Sequence, residues 1–263
     1  MNAETWFDRI PLAALYLLTV VIVLVSIAVG FYAGLHRRRH AQGEVEAPVG
    51  SVVGAVLGLL AFILAFTFGI AASRFDARKH LLLDEVNAIG TAVLRADLLP
   101  EPHRTEARRL LTEYVDTRAG LTTDGGNLSQ AIADSEALQH ALWAQATELA
   151  KTNLDSDMGA LFVTSLNDVI DLHTSRVTVA LQYRIPIRIW MGLCLVTVLS
   201  MTAVGYQFGL TGRRNPLIHG VLALAFSAVV LLIADLDRAT AGGLQVSQEP
   251  MLKLQESLRR TPE

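Results

Sequence analysis

Phe62 and Phe66 stand four residues apart in a long uncharged stretch, and Gly50, Gly54 and Gly58 precede them at the same spacing. Each such step advances about 40° around an α-helix, so the glycine group and the phenylalanine group are centred about 80° apart. Glycines four apart let a second helix come close. Aromatic rings on successive turns can form an apolar constriction that closes a pore by dewetting. Two readings follow. Gly50, Gly54 and Gly58 form a packing groove while the phenylalanines touch lipid or a neighbouring helix, or this helix lines a pore with Phe62 and Phe66 as successive rings. Four spans in one subunit do not obviously enclose a channel, so the second reading requires several copies.

The other candidate chemistry is polar. Asp84, Glu85 and Asn87 open a helical stretch, and Asn167, Asp171 and Thr174 share one face of a later one with Arg176 close by. Asp235, Asp237 and Arg238 follow the last apolar run. A carboxylate at a helix C-terminus opposes the macrodipole, and one so close to a membrane span needs a partner. The expectation is a structural network of Glu85, Asn87, Asn167, Asp171, Asp235 and Asp237 paired by Arg176 or Arg238. Too few acids cluster for a cation site of oxygen ligands. His173 reads as a residue of a polar helix face. There is no phosphate-binding glycine loop, HExxH, CxxC or nucleophile elbow, so no catalytic residue, metal or cofactor is expected, and the chain reads as a non-enzyme.

The elements that carry these residues are set by hydropathy. Pro11–Leu35, Ala47–Ser73, Ile189–Gly212 and Asn215–Ala234 are free of charge, and each reaches the ~20 residues that cross a bilayer core. The fold class is therefore an all-α integral membrane protein with two transmembrane hairpins flanking a four-helix extramembrane bundle. Residues 1–74 form the first hairpin (helices about 11–35 and 48–73), 75–184 the helical domain, 185–238 the second hairpin (helices about 187–210 and 216–235), and 239–263 a polar tail. Apolar stripes at spacings of three and four define the four domain helices. The first is expected to continue from span two and to stop before Pro100. The last is expected to run into span three. Thr122–Asn127 reads as a turn.

Hydrophobic residues make up 52% and charged residues 18% of the 263-residue chain, a membrane balance. The net charge of -3 points away from nucleic acid. Cys194 is the only cysteine, which excludes an intrachain disulfide and a cysteine metal site. Met1–Ile10 carries Glu4, Asp8 and a single cation, Arg9, so the first apolar run reads as a retained helix rather than a signal peptide. Arg37, Arg38 and Arg39 in one short loop and Arg213 and Arg214 in the other place those loops in the cytoplasm and the helical domain and both termini outside. Arg74, Arg78, Lys79, Arg184 and Arg188 argue the other way.

The segment Phe62-Ile63-Leu64-Ala65-Phe66-Thr67-Phe68 resembles the neck of bestrophins, where two phenylalanines four apart constrict an anion pore. The chain as a whole is similar to a bacterial bestrophin-like domain family, on Gly50 to Phe68, Asp84 to Ala92, Leu166 to Asp171 and Leu232 to Arg238. The resemblance implies a homo-oligomer, a pentamer if the layout holds, in a bacterial inner membrane, passing chloride or other small anions along the second transmembrane helix. It places Phe62 and Phe66 in the neck and puts Gly58 where bestrophins carry a bulky apolar residue. It also implies a cytosolic helical domain, opposite to the loop arginines. The acidic calcium clasp of animal bestrophins has no counterpart here, so no calcium gate is expected. The alternative is a non-conducting membrane protein whose helical domain senses or binds a partner.

Overall fold

The computed structural model describes residues 10–40, 49–120, 128–152, 157–212, 215–239 and 242–260. The regular elements among the described residues are all helices, with no strand. The Thr122–Asn127 turn and the Arg213–Arg214 loop lie outside them. Eight helices follow in order: α1 Leu12–His40, α2 Val49–Ala96, α3 His103–Gly120, α4 Leu128–Thr152, α5 Asp157–Leu181, α6 Ile187–Thr211, α7 Pro216–Asp237 and α8 Glu249–Arg260. Four of them, α1, α2, α6 and α7, are long and apolar enough to cross a membrane.

The chain divides into two compact units. The first contains Asn2–Phe75 and Arg184–Gln245, hence the apolar helices, and the second contains Asp76–Tyr183 and Val246–Glu263. The polar tail thus belongs in part to the helical unit, where α8 joins the bundle.

In the apolar unit α1 packs along α6 and also meets α7. Val23 and Ile27 of α1, Leu60 of α2, Leu193 and Met201 of α6, and Ala223, Phe226 and Val230 of α7 share one buried cluster. The α1–α6 approach is backbone on backbone. A Cβ on Gly30 would run into the carbonyl oxygen of Thr202, one on Gly34 into that of Tyr206, one on Gly205 into that of Ile27, and one on Gly209 into that of Phe31. Residue numbers rise together along both helices, so they run parallel. Asn215 opens α7, its side chain accepting from the Ile218 N–H at 3.3 Å with Pro216 at the first helical position, the expected start signal.

In the helical unit the last part of α2 packs with α3, α4, α5 and α8 around Ile89, Leu111, Tyr114, Leu142, Phe162, Leu166 and Met251. α2 is continuous over 48 residues, as expected from its unbroken pattern. The expectation that the last domain helix runs into span three is corrected: α5 ends at Leu181 and α6 begins at Ile187. Pro186 caps α6 in an extended conformation (φ -56°, ψ 139°). Proline disfavours helix at the residue before it, and the Ile185 N–H is taken instead by Asp237 Oδ1 at 2.9 Å.

Candidate functional site

The first candidate surface is the outer face of α2. Val53, Leu60 and Thr67, spaced seven apart, are its buried stripe. Phe62 lies about 160° around the helix from Leu60, Phe66 about 120° and Gly58 about 160°, so all three point away from the packed side. Phe62 is 68% and Phe66 63% exposed. Their rings stack with centroids 6.4 Å apart and planes 17° from parallel. Gly54 and Gly58 have nothing within 4 Å of an added Cβ, and Gly50 meets only the Gln207 side chain, at 3.2 Å. Among the described residues no helix closes on Gly54 or Gly58, and Gly50 meets α6 only through the Gln207 side chain. The close approach is made instead by Gly30, Gly34, Gly205 and Gly209. The signal was present, since both pairs read as glycine-x-x-x-glycine inside apolar runs.

The second candidate is a buried polar cluster in the helical unit. Glu85 of α2 is fully buried. Its carboxylate meets Arg176 of α5 as an ion pair and Arg118 Nε of α3 at 3.3 Å, and it accepts from the Tyr114 hydroxyl at 3.0 Å. That hydroxyl accepts from Gln139 Nε2 of α4 at 3.3 Å and lies 3.2 Å from His173 Nδ1 of α5. Arg176 Nη2 donates to Gln248 Oε1, just before α8, at 3.4 Å. Every helix of the unit thus sends or adjoins at least one member. Burial pushes the Glu85 carboxyl upward, but Arg118 and Arg176 outweigh it and hold the group below its ordinary value. Burial, with Arg118 adding repulsion, brings His173 down to about 4. The folded state thus favours neutral histidine. Its contribution to stability is complete above the ordinary value of 6.5 and is lost as pH falls from there toward 4.

Of the network expected from sequence, the structure joins Glu85 to Arg176. Asn87, Asn167 and Asp171 are exposed. Asn87 lies two residues from Glu85 and Asp171 two from His173, which puts each about 160° from the buried face. His173, read as a residue of a polar face, is 2% exposed and belongs to the cluster. Tyr114, Arg118 and Gln139 were missed. Tyr114 and Arg118 stand four apart, an arginine on an otherwise apolar stripe, and that mismatch was the available signal.

The acids after span four form a separate group in the apolar unit. Asp237 Oδ1 holds the Ile185 N–H and lies 3.8 Å from Arg74 Nη1, and the Asp237 carbonyl accepts from Arg184. Asp235 accepts from the Gly243 and Leu244 N–H groups at 2.9 and 3.2 Å. Arg238 Nη2 donates to the Ile10 carbonyl at 2.7 Å, tying the end of α7 to the chain two residues before α1. Among the described residues no group of three His, Cys, Asp or Glu side chains could hold a metal ion.

A family model described as the bestrophin-like domain matches residues 17–251. The chain belongs to the bestrophin-like family. Solved structures agree in fold. A single-residue variant of a bacterial bestrophin homologue from Klebsiella pneumoniae has a TM-score of 0.67 at 15% identity, covering 94% of this chain and 97% of that one. The homologue phased on zinc gives 0.63 at 15%, with coverage of 94% and 97%. A variant described as a membrane protein gives 0.63 at 16%, with the same coverage. No curated protein matches the chain. The family and the four apolar helices make this a membrane protein with the bestrophin-like helical fold.

Proposed function

We propose that this chain is the subunit of a homo-oligomeric channel in a bacterial inner membrane, pentameric in the manner its family resemblance implies, passing chloride or other small anions along α2. The observation that carries the reading is the outward aim of Phe62, Phe66 and Gly58, opposite the Val53–Leu60–Thr67 stripe that α2 spends on its own chain. A helix that faces its own core on one side and presents stacked aromatics on the other is suited to meet copies of itself around an axis. Apolar rings on successive turns then set the narrowest point, with Gly58 leaving a wider turn before it. Family membership supports the same reading.

The purified protein in lipid vesicles is expected to release trapped chloride faster than empty vesicles do. Replacing both Phe62 and Phe66 by Ala is expected to speed release by about tenfold, because removing the rings removes the dewetting barrier. Mass photometry in detergent is expected to show a particle of several copies. A monomer or dimer, or vesicles as tight as empty ones with both wild type and the double variant, overturns the proposal.

A further inference from the structure

We propose that His173 and the side chains around it form a proton-operated latch that holds α8 on the helical unit at neutral pH and releases it in acid. Valence fixes where the protons sit. A hydroxyl has one hydrogen, and that of Tyr114 goes to Glu85 Oε1. Its oxygen can then only accept, from Gln139 and from His173, so His173 carries its proton on Nδ1. Nε2 is left as a bare lone pair, buried and without a hydrogen-bond partner. It is the place in the cluster where a proton can be added.

The charges facing His173 are Glu85 from α2, Arg118 from α3 and Arg176 on α5 itself. Tyr114 and, through it, Gln139 of α4 add neutral dipoles. With His173 neutral, one carboxylate serves two guanidinium groups. A proton on Nε2 adds a third cation to a site that excludes water, and like charges so placed repel strongly. The least enclosed cation yields. The Arg118 side chain is 4% exposed and the Arg176 side chain 16%, so Arg176 has the shorter way out. Arg176 is also the member that holds Gln248, the residue before α8.

α8 has 12 residues, too few to persist as a helix without its support. It is held by buried Met251, by half-buried Leu254 and Leu258, and by Asp116, which takes Gln255 Nε2 at 2.7 Å and Arg259 Nη2 at 2.9 Å. An element with so little buried surface opens before the bundle does. The latch stands apart from any conduction by α2 and is tested without it.

The test is amide hydrogen exchange on the full-length protein in detergent, expressed as protection factors so that the intrinsic pH dependence drops out. Between pH 7.5 and 5, protection of the α8 amides is expected to fall by about tenfold while staying well below that of the α4 amides at each pH, so that α8 opens ahead of the bundle. His173→Asn keeps an N–H for the Tyr114 oxygen and cannot be protonated, so its α8 protection is expected to stay flat. Arg118→Gln leaves a one-to-one Glu85–Arg176 pair and removes one repelling charge, so the site can take a proton on His173 without expelling Arg176, and the loss of α8 protection at pH 5 is expected to shrink to about threefold or less. Constant protection of α8 in the wild type overturns the latch. So does an equal fall in His173→Asn, or α8 protection equal to that of α4 at both pH values, which would mean that α8 opens only with the whole bundle. Should His173→Asn fail to fold, an Arg118→Gln profile coincident with the wild type overturns it equally.

Discussion

Glu85→Ala is expected to cost the helical unit about 3–5 kcal/mol, because it leaves two guanidinium groups buried with no counter-charge. That loss is a large fraction of the stability of an ordinary domain. The carboxylate is fully buried and serves Arg118, Arg176 and the Tyr114 hydroxyl together, so removing it strands three donors. The reverse change is milder. Arg118→Met leaves Glu85 with Arg176 in a balanced pair and is expected to cost less than half as much. Thermal unfolding in detergent, followed by circular dichroism on the full chain, measures both. A Glu85→Ala variant within about 1 kcal/mol of the wild type would mean that the two arginines are solvated where they stand. The asymmetry is the point of the pair: with two cations on one anion, the anion is the member the cluster cannot lose.

Gly30→Ala and Gly205→Ala are each expected to destabilise the apolar unit by about 3 kcal/mol, at the upper end of the usual cost of overpacking. The added methyl meets backbone in both cases, the Thr202 carbonyl or the Ile27 carbonyl. Backbone cannot rotate away as a side chain can, so α1 and α6 must separate and give up contact along their length. Gly54→Ala and Gly58→Ala, which meet nothing within 4 Å among the described residues, are the controls. Their subunits should be as stable as the wild type, or slightly more so given the better helix propensity of alanine. If copies pack through the outer face of α2, the same controls should lower the oligomer mass while leaving the subunit melting temperature unchanged. Equal melting temperatures for all four variants would show that α1 and α6 do not touch as described.

The comparison of these glycines shows where reading along the chain succeeds. Hydropathy located four membrane helices, and the phenylalanine spacing and flanking motifs led to the family that the match over residues 17–251 establishes. These features are local: a run of some twenty apolar residues has few other places to go, and a bestrophin-like motif is a short string. The long uninterrupted α2 was legible for the same reason, while the break before α6 was missed although Pro186 marked it. Glycine triplets were equally visible in α2 and glycine pairs in α1 and α6. Spacing tells that a helix can be approached closely, and it does not tell by which helix.

The polar cluster shows the same division more sharply. Glu85 and Arg176 were both singled out, yet they are 91 residues apart in the chain. Arg118, Tyr114 and His173 join them from other turns and other helices. Sequence alone determined that this is a four-span helical membrane protein with an aromatic pair on its second span and a helical domain rich in amphipathic stripes. The tertiary structure decided which glycines carry a helix contact, and it placed Glu85, rather than Asn87 two residues on, among buried arginines. The reason is rotational. A shift of two residues turns a side chain about 160° around its helix. Which side of a helix becomes the inside is settled only when the other helices have packed against it.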